Sequence, residues 1–339
     1  MAAKTTILLN PAAHQNGVGR AWEAVQRKSL EALSPAEIRV VGTREEARQA
    51  AADAAREGCE KIIAVGGAET SNGMVTAVME LAPTHRKALK IGFLSVHRTH
   101  TFSRTIGFPR PIQRQLEVLK AGNTLPFDVG LTECLDDEGH LQTHYFVNGA
   151  AFGVLSQIRK ELGRGLMAPL ESIRVMKKVV QRAMSREEPW VKVEQHGREV
   201  FRGPWLMGVV MVGRYYPLLG RVAPHADPQD GLLDLVGITG YEKWELIQQI
   251  SGLLLRNRGG REMMTLQTGD NFKATTLEGR IVVEVDGQTV GRLPATFTIL
   301  PKTLPVIVEQ APARITKPQF DRLPDMASGD LASTDIFPR

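Results

Sequence analysis

Short unbroken apolar runs alternate with stretches of helical periodicity along the first third of the chain. T-I-L-L-N (Thr6–Asn10), I-R-V-V-G (Ile38–Gly42), K-I-I-A-V (Lys61–Val65) and K-I-G-F-L (Lys90–Leu94) read as strands, and Trp22–Leu33, Glu45–Glu57 and Met74–Leu81 read as helices. Strands that are apolar at every position, separated by amphipathic helices, predict a parallel sheet covered on both faces, with ligands at the carboxyl ends of its strands. Three such ends stand out: Asn10-Pro11, Gly66-Gly67 and the loop after Leu94.

Beyond Leu125 the pattern changes. H-Y-F-V-N (His144–Asn148), W-V-K-V-E (Trp190–Glu194), L-M-G-V-V-M-V (Leu206–Val212), L-L-D-L-V-G-I (Leu232–Ile238), R-I-V-V-E-V (Arg280–Val285) and A-T-F-T-I-L (Ala295–Leu300) are separated by Gly, Pro and Asp. Such runs predict a mostly antiparallel β domain. Helical stretches interrupt it over 156–185 and 241–255, and the end from Ala311 is rich in Pro, Asp, Ser and Ala with little periodicity. The expected organisation is an α/β domain over 1–126, a β-rich domain over 127–310 and a flexible tail over 311–339.

With 339 residues, 42% hydrophobic and 23% charged, the chain is ordinary for a globular protein and long enough for two buried cores. Its net charge of +5 favours anionic ligands or membrane surfaces, and no aromatic signature of nucleic-acid binding accompanies it. Cys59 and Cys134 have no metal-ligand spacing, which fits a reducing cytoplasm. No apolar run approaches the ~20 residues of a spanning helix, so membrane contact is expected to be peripheral. The segment 156–185 offers a route to it. Arg159, Lys160, Arg164, Arg174, Lys177, Lys178 and Arg182 accompany apolar residues at helical spacing there, as in a helix lying on anionic lipid, or in one that packs its stripe into a core and solvates its charges.

The most informative segment is Lys61–Met79, where a buried strand runs through Gly66-Gly67 into the N-terminus of a helix. Adjacent glycines let the backbone approach a ligand, and the free N–H groups of the helix supply donors and a positive dipole end, which is the shape of a phosphate cradle. Next in line are Ala68 and Glu69. A carboxylate at a helix N-terminus satisfies the same donors as a phosphate, so Glu69 reads as a built-in competitor, as an ordinary first-turn acid, or as a displaced metal ligand.

I-L-L-N-P at Ile7–Pro11, A-V-G-G-A-E-T-S-N at Ala64–Asn72, H-Y-F-V-N-G-A-A-F-G at His144–Gly153, D-G-L-L-D at Asp230–Asp234 and V-E-V-D-G-Q at Val283–Gln288 occur in one order. On these motifs the chain resembles the diacylglycerol kinase and sphingosine kinase catalytic superfamily, from about Thr5 to Val308. The resemblance implies an NAD-kinase-like N-terminal α/β domain with a parallel sheet and a C-terminal antiparallel β-sandwich. It also implies ATP in the cleft, Mg²⁺, and a lipid hydroxyl as phosphoryl acceptor.

By the same resemblance Asn10, Gly66, Gly67, Thr70, Asn72 and Arg104 belong to the nucleotide site. Asp286 stands at the general base, and Asp227, Asp230 and Leu232 stand at a metal site built from carboxylate and main-chain oxygens. The family strand-turn motif is usually G-G-D-G-T-x-N-E, and this chain carries Ala68, Glu69 and Gly73 at its acid, third glycine and final Glu. The second nucleotide loop, usually P-x-G-T-x-N-D-F-A-R, reads S-V-H-R-T-H-T-F-S-R here, keeping Phe102 and Arg104. Ala13 and His14 replace Ser-Gly in the first loop, and Gln288 replaces the usual Glu after Asp286.

His97, Arg98, His100 and Arg104 together form a basic loop suited to an anion, or simply a solvated one. As turn residues, Asp286-Gly287 equally fits a hairpin, and Asp230 and Asp234 a turn and a strand edge. Two functions follow: an ATP-dependent lipid kinase, or a non-catalytic descendant that binds a lipid, a nucleotide or another phosphorylated ligand.

Overall fold

The computed structural model describes residues 4–11, 27, 29–95, 101–153, 156, 190–205, 207–217, 220–238 and 265–309. The basic segment 156–185 other than Ser156, the expected helix 241–255, the tail from 311, and Ala13, His14, His97, Arg98 and His100 lie outside them.

The first apolar runs form β1 (Thr5–Leu9), β2 (Ala36–Val40), β3 (Lys61–Val65) and β4 (Lys90–Leu94). β1 lies in parallel between β2 and β3, and β3 pairs in parallel with β4. The connecting helices are α1 (Arg44–Arg56), α2 (Ala68–Glu80) and α3 (Pro83–Ala88). α1 starts where the Thr43 hydroxyl accepts from Glu46 N, while the Glu46 carboxylate accepts from Gly42 N at 2.7 Å. This reciprocal brace sets the first turn, and Glu45 and Glu46 sit at the positive end of the helix.

α1 buries only alanines, Ala47, Ala51 and Ala54, so α2 can come close to it. α2 begins six residues before the apolar periodicity predicts, directly after Gly67. Its residues Thr70–Met79 are all buried, and a helix covered on every side has no polar face to mark its start.

α4 (Thr101–Thr105) and α5 (Ile112–Ala121) lead into the second half, and α5 ends at Gly122 in the left-handed region. Thereafter come β5 (Thr124–Leu135), β6 (Leu141–Phe146), β7 (Gly149–Gly153), β8 (Trp190–Gln195), β9 (Arg198–Pro204), β10 (Met207–Met211), β11 (Tyr215–Tyr216), β12 (Gly220–Arg221), β13 (Leu233–Ile238), β14 (Thr265–Gly269), β15 (Asn271–Thr276), β16 (Val282–Val285) and β17 (Gln288–Ile307). Their pairings with one another are antiparallel, giving the β-sandwich that the alternating runs predict.

The long strand β17 joins the two halves. Its start pairs with β16, its middle with β15 and β5, and Val306 near its end lies in parallel beside Ile91 of β4. The core built on Ile63, Val75 and Phe93 accordingly takes in Phe127, Val129, Leu304, Val306, Ile307 and Val308, and the expected domain boundary at 126/127 falls inside β5. A second core forms around Phe152, whose ring centroid lies 5.3 Å from that of Trp205 and 5.8 Å from that of Phe297. Among the described residues no helix is long and apolar enough to cross a membrane.

Candidate functional site

Asp286 and Gly287 are the two central residues of the β16–β17 hairpin, with φ of 47° and 83°. Positive φ at both positions matches the right-handed twist of the strands, and Asp tolerates it better than most residues. The turn is buried against the β6–β7 connection, leaving Asp286 only 2% exposed. Its Oδ1 accepts from Asn148 N at 2.9 Å, Asn148 Nδ2 at 3.1 Å and Gly149 N at 3.3 Å. Its Oδ2 accepts from Val147 N and Asn72 Nδ2, both at 3.1 Å.

Five donors thus converge on a group with about four lone-pair directions. Burial pushes the Asp286 carboxyl above its ordinary range, against the pull of the bonds from Val147, Asn148 and Asn72. Asn72 ties this cage to α2, since the same Nδ2 donates to Tyr145 O at 2.8 Å. Its Oδ1 and that of Asn148 are buried without a hydrogen-bond partner.

The glycine turn is half filled and half open. A Cβ on Gly66 would lie 2.5 Å from Thr70 Oγ1 and 3.1 Å from Asn10 Cβ, so the chain's own side chains occupy the space that glycine frees. A Cβ on Gly67 would meet nothing within 4 Å. Gly67 caps α2 without a side-chain hydrogen bond, so no side-chain acceptor from the cap occupies the N–H groups of its first turn. Asn10 is held at the strand end by Asn10 N donating to Val65 O at 2.9 Å. Ala68 and Glu69 are half-buried in the first turn. The backbone therefore fits an anion, whereas no carboxylate stands at position 68 to hold a metal against it.

The other expected residues lie elsewhere. The guanidinium of Arg104 on α4 stacks 4.0 Å over the Tyr215 ring. Asp227, Asp230 and Leu232 share a loop before β13, where Asp230 Oδ1 accepts from Leu232 N at 3.0 Å and Asp227 Oδ1 from Gln229 N at 3.2 Å. Both are Asx turns, so the turn reading of Asp230 holds locally. Beneath the loop is the fully buried Asp128, which accepts from Gly231 N and Lys302 N, both at 2.7 Å. Burial pushes the Asp128 carboxyl up, and the charges of Asp230 and Asp227 act in the same direction. Carboxylate oxygens are what a divalent cation takes, but among the described residues Asp128, Asp227 and Asp230 do not bring three ligand atoms within reach of one ion. In the sequence Asp128 carries one signal, a lone Asp inside the apolar run F-D-V-G-L.

Arg44 and His144 flank the Asp286 cage. Arg44 opens α1, is half-buried, and donates from Nη2 to Thr76 Oγ1 at 3.4 Å. Burial pulls its pKa down and the Asp286 charge raises it. His144 on β6 is pushed down to about 4 by burial and by the Arg44 charge, against a hydrogen bond to the Val290 backbone. Its Nε2 is buried without a partner.

The consequence for stability has a definite sign. As pH falls from 6.5 to 4, the unfolded chain protonates this imidazole while the folded chain does not. Folding is therefore expected to lose about 2 kcal/mol over that window from this group. Urea midpoints at pH 7 and pH 4.5 should differ by less in His144→Gln than in the parent, and an equal difference would show that His144 is not the group responsible.

Residues 4–132 match the family model described as diacylglycerol kinase catalytic domain, and residues 185–308 match the YegS C-terminal NAD kinase beta sandwich-like domain. The chain is 25% identical over 268 residues to the diacylglycerol kinase of Bacillus subtilis (strain 168), covering 79% of this chain and 84% of that one. It is 24% identical over 255 residues to the diacylglycerol kinase of Staphylococcus carnosus (strain TM300), covering 75% and 78%. Among solved structures, a diacylglycerol kinase from Bacillus anthracis str. Sterne superposes with a TM-score of 0.67 at 17% identity, over 91% of this chain and 98% of that one. Yeast NADH kinase complexed with NADH superposes with a TM-score of 0.52 at 8% identity, over 91% and 84%.

Proposed function

Given that the chain belongs to the diacylglycerol kinase catalytic family, with that family's sandwich domain following, we propose that it has kept the family cleft and lost phosphoryl transfer, acting instead as a binding protein for a lipid or another phosphorylated ligand. Kinases of this family use ATP and a divalent metal in general. The observation that carries the reading is the Asp286 cage. A general base must accept a proton from the acceptor hydroxyl at hydrogen-bond distance, and the lone pairs of this carboxylate are already taken by five protein donors.

The sequence supports the same reading at three further positions. Ala68, Gly73 and Gln288 are neutral where the family motifs carry acids, and phosphoryl transfer depends on positioning and metal electrostatics that such acids supply. The basic segment 156–185 fits ligand delivery from an anionic membrane surface. The competing reading, an ATP-dependent lipid kinase, is favoured by the open turn at Gly67 and the retention of Asp286 itself.

The test is incubation of the protein with ATP, Mg²⁺ and vesicles containing diacylglycerol, with phosphatidate as the readout. No product above the protein-free control is expected. ATP affinity should be indifferent to Mg²⁺ in the parent and become Mg²⁺-dependent by tenfold or more in Ala68→Asp with Glu69→Gly, which restores the metal-linked acid. Phosphatidate formation by the parent would overturn the proposal.

A further inference from the structure

Of the second-loop motif the chain keeps Phe102 and Arg104, and both serve packing. Phe102, 1% exposed, sets its ring edge-on to Phe93 of β4 and Phe127 of β5, with centroids 4.8 Å and 6.0 Å away. That fixes α4 to the N-terminal core. Arg104 and Thr105 meet the segment that follows β10. The guanidinium lies 4.0 Å over the Tyr215 ring, and Thr105 is buried against Gly213, where an added Cβ would fall 2.9 Å from Thr105 Oγ1 and 3.0 Å from Thr105 Cγ2. Gly213 lies outside the left-handed region, so what glycine supplies there is room for α4 rather than a special conformation.

The same segment is bonded to the Asp286 cage. Val212 N and Gly213 N both donate to Asn148 O at 2.9 Å, and Asn148 in turn supplies two of the three donors on Asp286 Oδ1, through N and Nδ2. Tyr216, fully buried, donates from its hydroxyl at 3.4 Å to Oε2 of Glu284, two residues before Asp286. Val212–Tyr216 therefore touches α4 through Gly213 and Tyr215, and the cage through Val212, Gly213 and Tyr216. A contiguous chain of packed side chains and hydrogen bonds is a route along which a shift at one end is felt at the other.

We propose that Arg104 and Thr105 are positioning residues for Asp286: they seat α4 on Val212–Tyr216, and that segment holds Asn148 where its two donors meet the carboxylate. Neither residue touches Asp286. The resemblance gives Arg104 another role, at the nucleotide, whereas here the Tyr215 ring orients the guanidinium and the next residue is locked against Gly213. The assignment concerns how the site is held, so it goes beyond the proposed loss of phosphoryl transfer and does not depend on it.

The experiment is amide hydrogen exchange of the full chain at pH 7, read at Asn148, Gly149, Val212 and Gly213, with Ile63 of β3 as a reference outside the route. Arg104→Ala and Tyr215→Leu are each expected to speed exchange at the four amides about two- to fivefold, the effect of losing one exposed cation–π contact. The double variant should be no more than about twofold faster than either single one, as for two residues sharing one interaction. Exchange at Ile63 should keep its parent rate in all three. Gly213→Ala should speed the four amides about tenfold or more, because its Cβ displaces α4. Combined with Thr105→Ala it should return to about the rate of Thr105→Ala alone, since the two atoms it strikes are then gone. Arg104 is exposed, so its alanine variant keeps the test open should Gly213→Ala unfold. Parent rates at Asn148 and Gly149 in Arg104→Ala, an equal rise at Ile63, or a Gly213→Ala defect that Thr105→Ala leaves uncorrected would each overturn the assignment. So would an Arg104→Ala protein that loses ATP affinity at unchanged exchange, which would return the guanidinium to the nucleotide site.

Discussion

Asp286→Asn is expected to lose about 3–5 kcal/mol of folding stability, the range found when one partner of a buried charged network is removed. The substituted amide brings its own N–H donors into a space where Val147 N, Asn148 N, Gly149 N, Asn72 Nδ2 and Asn148 Nδ2 all need an acceptor. At most one amide oxygen remains to serve them, and the rest become buried unsatisfied donors. Backbone strain does not confuse the measurement, because Asn tolerates the left-handed conformation at this turn as readily as Asp does. The cage holds three elements together, namely α2 through Asn72, the β6–β7 connection and the β16–β17 hairpin. Loss should therefore show as a lowered midpoint of a single cooperative urea transition. A double-mutant cycle with Asn72→Ala should give a coupling of about 1 kcal/mol or more, as residues in one hydrogen-bond network do. An Asp286→Asn variant as stable as the parent would show that the carboxylate is held for chemistry rather than for structure.

β1, β3 and β4 were legible because each is largely apolar along its length, whereas the edge strand β2, with Glu37 and Arg39 in it, starts two residues before the run Ile38–Gly42 suggests. The start of α2 was not legible, since a helix buried on all sides carries no 3.6-residue alternation to read. Gly66-Gly67 was legible as a turn, but its meaning was only half visible. Local sequence says that glycine permits close approach, and tertiary packing decides that at Gly66 the approaching groups are the chain's own Thr70 and Asn10. The turn reading of Asp286 holds, and the hairpin geometry is what delivers its carboxylate into the cage. Arg44, Asp128 and His144 carried no signature. Arg44 reads as one more charge at the head of a polar helix, and its charge bears on His144 a hundred residues away, which no local pattern encodes.

Gly73→Ala is expected to lose about 3 kcal/mol or more, although the same change in an unconstrained helix gains about 1 kcal/mol from propensity. A Cβ at this position would fall 2.3 Å from Arg44 O, 2.9 Å from Ala47 Cβ and 3.1 Å from Arg48 N. Two of these are backbone atoms, so no rotamer change relieves the clash and α1 itself must move away from α2. Position 73 is where the family motif ends in Glu, and a Glu here would displace α1 further and carry Arg44 with it. Ala68→Asp meets no such obstacle, because Ala68 is half-buried at the first turn beside the open Gly67. An acid there also suits the positive end of α2, so its effect should stay within about 0.5 kcal/mol. The two reversions toward the family motif thus diverge: the metal-linked acid can be put back without structural penalty, and the final Glu cannot. Thermal unfolding of the two single variants decides the matter, and a Gly73→Ala protein as stable as the parent would mean that α1 is free to yield. If α1 does not yield, the loss of the final acid and the burial of Arg44 are one structural change. Restoring Ala68→Asp alone would then return one of the two acids and leave Arg44 half-buried at the head of α1.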